Sequence, residues 1–480
     1  MSLKRTAITG AKWTTVSSIV RTGLQFLQVA VLARYLAPTD FGLMAMLMIV
    51  LGFAQAYADM GVSSAIIYHQ DTTDDQLASL YWLNVGGGVI VSALLLLATP
   101  AVVALYHEPR LAPLMPWASA IFLVTPFGQQ YLVLFEKNLA FDRLAFIEAG
   151  STVVGTVVAV VAAIRGSGVY ALVWGQLATS ASRALLLAGA GHRRWPHRLH
   201  FRWKDCNGYL SFGAYQIGER TANYLAARLD QLLVGALLGA QPLGYYNLAW
   251  SLVIQPITKI NPILTRVAFP VFARVQDDIE RLRRGFLTLS RMLALVNVPL
   301  LIGLAATAPA VVRVLYGDGW QPVVPLVQVL ALVALLRSSA NPVGSLLLAR
   351  GRADLGFKWS VAILLVMVPT VYFSTELGRT LGVAIGLLGL QIVLFGLGYY
   401  FLIRPMIGRC WGQFLGTVVP ALSTAIFMAV PVYLLSHFVQ VPRPILLGMQ
   451  IALGVAIYII LTWISRRDEL RETLHLVLRA

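Results

Sequence analysis

Apolar residues are spread along the whole chain, in long stretches separated by short polar breaks. A helix needs roughly 20 predominantly apolar residues to cross a bilayer. Stretches of about that length or longer fall at 11–34, 41–66, 78–105, 112–135, 142–164, 167–189, 208–238, 243–270, 287–313, 321–349, 357–375, 380–403, 412–437 and 444–465. The pattern predicts an all-α polytopic membrane protein with about 14 transmembrane helices. The opening Met1–Arg5 is basic, but the apolar stretch behind it is too long for a signal peptide and no small-residue cleavage site follows. A retained first helix is expected.

Composition closes off the other classes. Of 480 residues 58% are hydrophobic and 12% charged, and the mean hydropathy is +0.74. Soluble domains carry about 25% charged residues. No soluble core could hide this much apolar surface, so a soluble enzyme, a disordered tail and a disulfide scaffold are excluded.

The net charge of +16 would suggest nucleic acid in a soluble protein. Here its distribution argues otherwise. With the N-terminus inside, the cytoplasmic segments hold 24 Lys and Arg and the external loops hold 6. That bias predicts cytoplasmic N- and C-termini and makes a nucleic-acid partner unnecessary. Cys206 and Cys410 fall at cytoplasmic loop edges, where they are expected to stay unbridged, and no metal-ligand spacing surrounds either.

Three polar segments stand out. Residues 192–204 form a basic linker whose histidines could suggest a metal, but a juxtamembrane segment lying on anionic lipid is the favoured reading. Residues 272–286 alternate charge on a helical period, as a solvated or interfacial helix would. In the tail, Leu470, Leu474 and Val477 recur at helical spacing, which predicts an interfacial helix.

The chain also resembles itself. Leu36–Leu43 matches Leu238–Tyr245 and aligns Gly42 with Gly244, while Asp59 meets Asn261 at the same offset. Pro100–Val103 recurs as Pro309–Val312. An offset spanning six helices predicts two lobes related by a pseudo-two-fold along the membrane normal, enclosing a central cavity. The expected organisation is an N-terminal lobe over 1–190 and a basic cytoplasmic linker over 191–207. A C-terminal lobe over 208–405 follows, with two extra helices and an amphipathic tail over 406–480.

With Lys12, Arg34, Arg143, Arg291, Arg313 and Lys358 near span ends counted in the adjoining loops, seven cations remain inside the predicted spans: Arg21, Arg183, Arg220, Arg228, Lys259, Arg266 and Arg337. Each costs at least about 2.5–3.5 kcal/mol at the bilayer centre, so they cannot all face lipid. Arg183 and Arg266 lie near cytoplasmic ends and can snorkel. Arg228 can do so outward, or pair with Asp230. At about 100° per residue, Ser17, Arg21, Gln25 and Gln28 share one face of the first helix. Gln216, Arg220, Asn223 and Asp230 share one face of the seventh, and Gln255, Lys259 and Arg266 one of the eighth. Arg337 precedes Asn341 and Pro342, where a kink frees backbone carbonyls.

These stripes point to a surface for an anionic substrate, built from Arg21, Arg220, Arg228, Lys259 and Arg337 with the amides of Gln25, Gln28, Gln216, Asn223, Gln255 and Asn341. Packing ion pairs are the alternative, above all for Glu219 beside Arg220 and for Asp230 near Arg228. Asp59 is either a counter-ion for Arg21 or a site for a coupling proton or cation, and Asp230 is a second candidate for coupling. No Walker A loop, zinc-protease motif or nucleophile elbow occurs, and Gly166–Ala171 lacks the strand–helix context of a nucleotide loop. The chain therefore reads as a transporter without a cofactor rather than an enzyme.

The stretches Val31–Met46, Phe212–Leu252, Phe269–Asp278 and Leu315–Leu332 resemble the polysaccharide transporter family. That family belongs to the superfamily of multidrug, oligosaccharidyl-lipid and polysaccharide exporters. The likeness runs from residue 10 to about 400 and is closest to the colanic-acid-type exporters; its glycine, aromatic and proline punctuation marks a fold more than a substrate.

The resemblance implies a bacterial inner-membrane flippase that moves an undecaprenyl-diphosphate-linked oligosaccharide outward by alternating access. It would act on membrane-borne substrate beside polymerase and glycosyltransferase partners. Outward movement of an anion gains about 2.3 kcal/mol per charge per 100 mV of inside-negative potential, so the potential, or a proton or sodium gradient, is the expected drive. The rival readings are a drug/cation antiporter, a flippase of the peptidoglycan lipid precursor, and a non-transporting scaffold.

Overall fold

Lipid offers no partner to a free peptide group, so a chain that crosses it repeatedly must close its backbone hydrogen bonds within helices or a barrel. The computed structural model describes residues 3–58, 62–68, 71–195, 199–207, 209–265 and 268–479, and among them every regular element is helical. Among the described residues, each of the fourteen apolar stretches falls on a helix or a pair of helices. The chain is an all-α multi-pass membrane protein. Its contacts group into two compact units, Met1–Gly244 and Tyr245–Ala480.

The first unit contains α1 (Leu3–Leu32), α2 (Pro38–Ala58), α3 (Val62–Tyr68), α4 (Asp74–Leu97), α5 (Thr99–Tyr106), α6 (Met115–Val124) and α7 (Pro126–Lys137). It continues with α8 (Phe141–Ile164), α9 (Tyr170–Gly191), α10 (Tyr209–Leu238) and the start of α11 (Ala240–Thr265). Local chemistry sets several boundaries. At the head of α4, Thr73 and Gln76 form a reciprocal cap, with Gln76 N donating to Thr73 Oγ1 at 3.3 Å and Thr73 N to Gln76 Oε1 at 3.0 Å. Pro126 has no N–H to continue α6, and the chain bends by 42° into α7.

Small residues set the packing distance. A methyl group on Gly155 of α8 would lie 2.7 Å from the Gly175 carbonyl of α9, and one on Gly175 would lie 2.6 Å from Ala159 Cβ. The two helices therefore pack backbone to backbone. On the other side, α10 lies against α2, where the Tyr224 hydroxyl reaches the Met48 and Ile49 carbonyls at 3.0 and 3.1 Å.

The second unit holds the rest of α11, α12 (Ala268–Arg274), α13 (Ile279–Tyr316), α14 (Val323–Ser339), α15 (Pro342–Ala349) and α16 (Ala353–Gly398). After a π-helical turn at Tyr399–Ile403 come α17 (Arg404–Ile407), α18 (Trp411–Phe438) and α19 (Arg443–Arg479). The helicity of α16 is interrupted at Gly378 and at Arg379, whose φ of 51° is left-handed. Beyond them the chain folds back: a methyl group on Gly386 would lie 3.7 Å from Thr370 Cγ2, although 16 residues separate the two positions. An unbroken helix would hold them about 24 Å apart. The eleventh and twelfth stretches are thus antiparallel helices divided where the pattern places the break.

Two amphipathic segments are helical, as expected, but run on into the apolar helices beside them. The charged residues after Asp278 form no separate interfacial helix but the first turns of α13, capped by Asp278, whose Oδ1 accepts from Arg281 N at 3.0 Å. Likewise the C-terminal tail continues α19 without a break. Neither junction contains a proline, and helix propagation across it costs little.

Among the described residues eight helices are long and apolar enough to cross a membrane alone, or nine if the bent α6–α7 pair counts as one. Many of their large side chains are exposed, including Leu97, Leu365 and Phe427. In water such a surface would aggregate, whereas in lipid it is the solvent-facing side. Of the helices longer than 20 residues, four are not among those spans: α1, α9, α10 and α11. They are the ones that carry Arg21, Arg183, Arg228 and Lys259.

Candidate functional site

Some of the in-span polar residues gather into one group in each unit. In the first, α1 lies along α8 and α8 along α9. Arg21 Nη1 of α1 is 2.9 Å from Glu148 Oε2 of α8, and Arg183 Nη2 of α9 is 3.1 Å from Glu148 Oε1. One carboxylate thus bridges two guanidinium groups, which leaves the trio with a net positive charge. The Nε atoms of Arg21 and Arg183 are buried without a hydrogen-bond partner, and so is Ser17 Oγ. Donor capacity remains after the pairing. One and two turns further along α1, Gln25 is exposed and Gln28 Oε1 accepts from Thr156 Oγ1 of α8 at 3.1 Å.

Glu148 was not among the residues expected from sequence. It lies 127 positions from Arg21, and nothing local marks it as a partner. Arg183, expected to snorkel, joins the same cluster. On α10 Arg228 is exposed and donates to Gln231 Oε1 at 2.9 Å, while Asp230 is buried. Asp59 lies outside the described residues, as do Arg266 and the side chains of Gln216, Glu219, Arg220 and Asn223.

In the second unit a cavity of about 300 Å³ opens between α11 and α14. Its polar lining comes from Thr258, Asn261 and Thr265 on α11 and from Arg337, Ser338 and Asn341 at the end of α14. Prolines perturb both walls. Pro262 cannot donate to the Thr258 carbonyl, and α14 ends at Ser339 before Pro342 starts α15. Asn261 is 3% exposed; its Oδ1 accepts from Asn297 Nδ2 of α13 at 2.8 Å, and its own Nδ2 has no partner. Arg337 is exposed into this lining and, among the described residues, is paired with no carboxylate. A cavity with one cation, amide and hydroxyl groups and no acid is suited to an anion.

Two of the residues expected here, Arg337 and Asn341, are thus brought together, with Lys259 and Gln255 in neighbouring turns of α11. Thr258, Asn261 and Thr265 were not expected. Their spacing of three and four residues beside two prolines was the available signal, and the internal repeat had already paired Asn261 with Asp59.

The basic linker is anchored on α4. Asp205 Oδ2 accepts from the Ser79 hydroxyl of α4 at 2.8 Å and lies 3.0 Å from His200 Nε2. These contacts, Ser79 first, hold the Asp205 carboxyl below its ordinary range. His192 Nδ1 is 3.3 Å from the Tyr131 hydroxyl, and His197 lies outside the described residues.

Long apolar helices, several of them interrupted or bent at prolines, define a multi-pass membrane protein. A solved structure of the lipid II flippase MurJ, in an inward closed conformation, superposes with a TM-score of 0.75 at 13% identity, over 96% of this chain and 99% of that one. That likeness establishes the fold. In sequence, the chain is 36% identical to the teichuronic acid biosynthesis protein TuaB of Bacillus subtilis (strain 168), over 96% of each chain. It is 35% identical to the lipopolysaccharide biosynthesis protein WzxC of Escherichia coli (strain K12), over 86% of this chain and 84% of that one. Residues 31–325 match the family described as polysaccharide biosynthesis protein. The chain belongs to that family.

Proposed function

We propose that this protein is a flippase of the bacterial inner membrane, moving an undecaprenyl-diphosphate-linked oligosaccharide repeat unit outward for surface polysaccharide assembly. The observation that carries the reading is Arg337, a cation without a carboxylate partner among the described residues, in an acid-free cavity between α11 and α14. A diphosphate brings roughly two negative charges into a low-dielectric region, and a planar guanidinium meets phosphate oxygens two at a time. The Arg21–Glu148–Arg183 cluster supplies a second net positive charge. A transporter of cations would need acids at these places.

The lobes run over 1–190 and 208–405, with the linker 191–207 between them and 406–480 adding two helices and the tail. Both termini face the cytoplasm. No bound cofactor is required: the membrane potential drives the cycle, or a proton or sodium gradient does, with Asp59 and Asp230 as coupling groups. Polymerase and glycosyltransferases work on the same lipid-linked intermediate.

The test is mass spectrometry of lipid extracts from a deletion strain, with leaflet location read by a membrane-impermeant glycosidase. Complete lipid-linked oligosaccharide should accumulate on the cytoplasmic face, be cleared by the wild-type gene, and persist with Arg337→Ala. Normal polysaccharide without accumulation would overturn the reading.

A further inference from the structure

A second cavity of the Tyr245–Ala480 unit lies where α17 turns into α18. Its volume is about 480 Å³, and Tyr399, Tyr400, Arg404, Arg409, Trp411 and Gln413 contribute to its lining. The apolar segments on either side, Asp354–Ile407 and Trp411–Ser436, are each long enough to cross a membrane. Residues 408–410 between them are therefore at the membrane–water boundary.

The turn is held in place from several directions. Gly408 takes a φ of +81°, Cys410 N donates to the Tyr399 hydroxyl at 2.7 Å, and Arg283 Nε donates to the Ile407 carbonyl at 3.0 Å. Arg283 also occupies the nearby acid, Glu280, at 3.4 Å. Arg404 lies over the Tyr400 ring, 4.9 Å from its centre. Among the described residues neither Arg404 nor Arg409 is paired with a carboxylate. Tyr400, Phe401 and Trp411 remain exposed beside them.

Two unpaired guanidinium groups in a fixed concavity at this depth, flanked by exposed aromatic rings, match an anionic headgroup above and acyl chains below. We propose that this cavity binds the phosphate of an anionic phospholipid. The site is separate from the two polar groups described above and rests only on the chain's crossing the membrane, not on what it transports. Free phosphate offers the same chemistry to guanidinium, and the test distinguishes the two sources.

The experiment uses the full chain in detergent, with phosphatidylcholine, phosphatidylglycerol or inorganic phosphate added, and counts bound adducts by native mass spectrometry. Phosphatidylglycerol should be retained about tenfold over phosphatidylcholine, and excess inorganic phosphate should not displace it. The Arg404→Gln/Arg409→Gln variant should lose that preference, and Arg404→Lys/Arg409→Lys should recover most of it. If the double Gln variant does not fold, Arg409→Gln alone should still weaken the preference, because among the described residues Arg409 makes no ion pair, hydrogen bond or ring contact. Equal retention by wild type and Gln variants overturns the proposal. Displacement by inorganic phosphate overturns the lipid assignment in favour of a free anion.

Discussion

Gly42 and Gly244 meet in a reciprocal contact at the starts of α2 and α11. A methyl group on Gly42 would overlap the Ala240 carbonyl, and one on Gly244 would overlap the Pro38 carbonyl. The offset that aligns the two glycines, 202 residues, also aligns Pro38 with Ala240. Each copy of the repeated segment thus places its glycine against the same position of the other copy. That is the contact pattern of a local two-fold relation.

Either Gly42→Ala or Gly244→Ala should destabilise the protein by about 1–3 kcal/mol, since backbone rather than a movable side chain stands in the way. Gly86→Ala is the control, because nothing lies within 4 Å of the added carbon. Thermal unfolding of purified variants, followed by size-exclusion fluorescence, checks the ordering.

Glu148→Gln should destabilise by about 1–2 kcal/mol, as it leaves Arg21 and Arg183 facing each other without their shared counter-ion. Partial exposure of the three side chains keeps the effect below that of stranding a fully buried ion. Adding Arg21→Gln to Glu148→Gln should recover part of the lost stability. A double-mutant cycle on unfolding midpoints measures the coupling.

Arg337→Ala should leave stability within about 0.5 kcal/mol of wild type, because no ion pair is lost. Clearance of lipid-linked oligosaccharide in the complementation assay should nevertheless fall about tenfold or more, with Arg337→Lys intermediate because a point charge cannot form the bidentate contact. Equal clearance by wild type and Arg337→Ala would remove Arg337 from the transport surface.

Acid should loosen the linker. The Asp205 carboxyl is held below its ordinary value, so its docking on Ser79 is fully present above the unfolded carboxylate range, near pH 4. Docking is lost as pH falls through the lower folded value. Hydrogen exchange over 199–207 should therefore rise on acidification below about pH 4 in the wild type. In Ser79→Ala the same rise should begin at higher pH.

Hydropathy is a property of consecutive residues, and it placed the helices well. It located the return of the chain at Gly378–Arg379 because a polar break between two apolar runs is visible locally. It found Arg337 and Asn341 together because they share a helix end with Pro342. It did not foresee that α13 and α19 run on through their charged segments, since helix continuity there depends on the absence of a breaker rather than on a change in polarity.

From the sequence alone follow the membrane class, the helix positions, the repeat that pairs Gly42 with Gly244, and the excess of cations within the spans. Each is written in composition, period or offset along one chain. Only the tertiary structure decided that Arg21 and Arg183 share Glu148, and that Asn261, with its unpaired amide donor, lines the same cavity as Arg337. Those relations join residues tens to more than a hundred positions apart. Charges interact through space, and the packing of helices, not the order of residues, sets the distance between them.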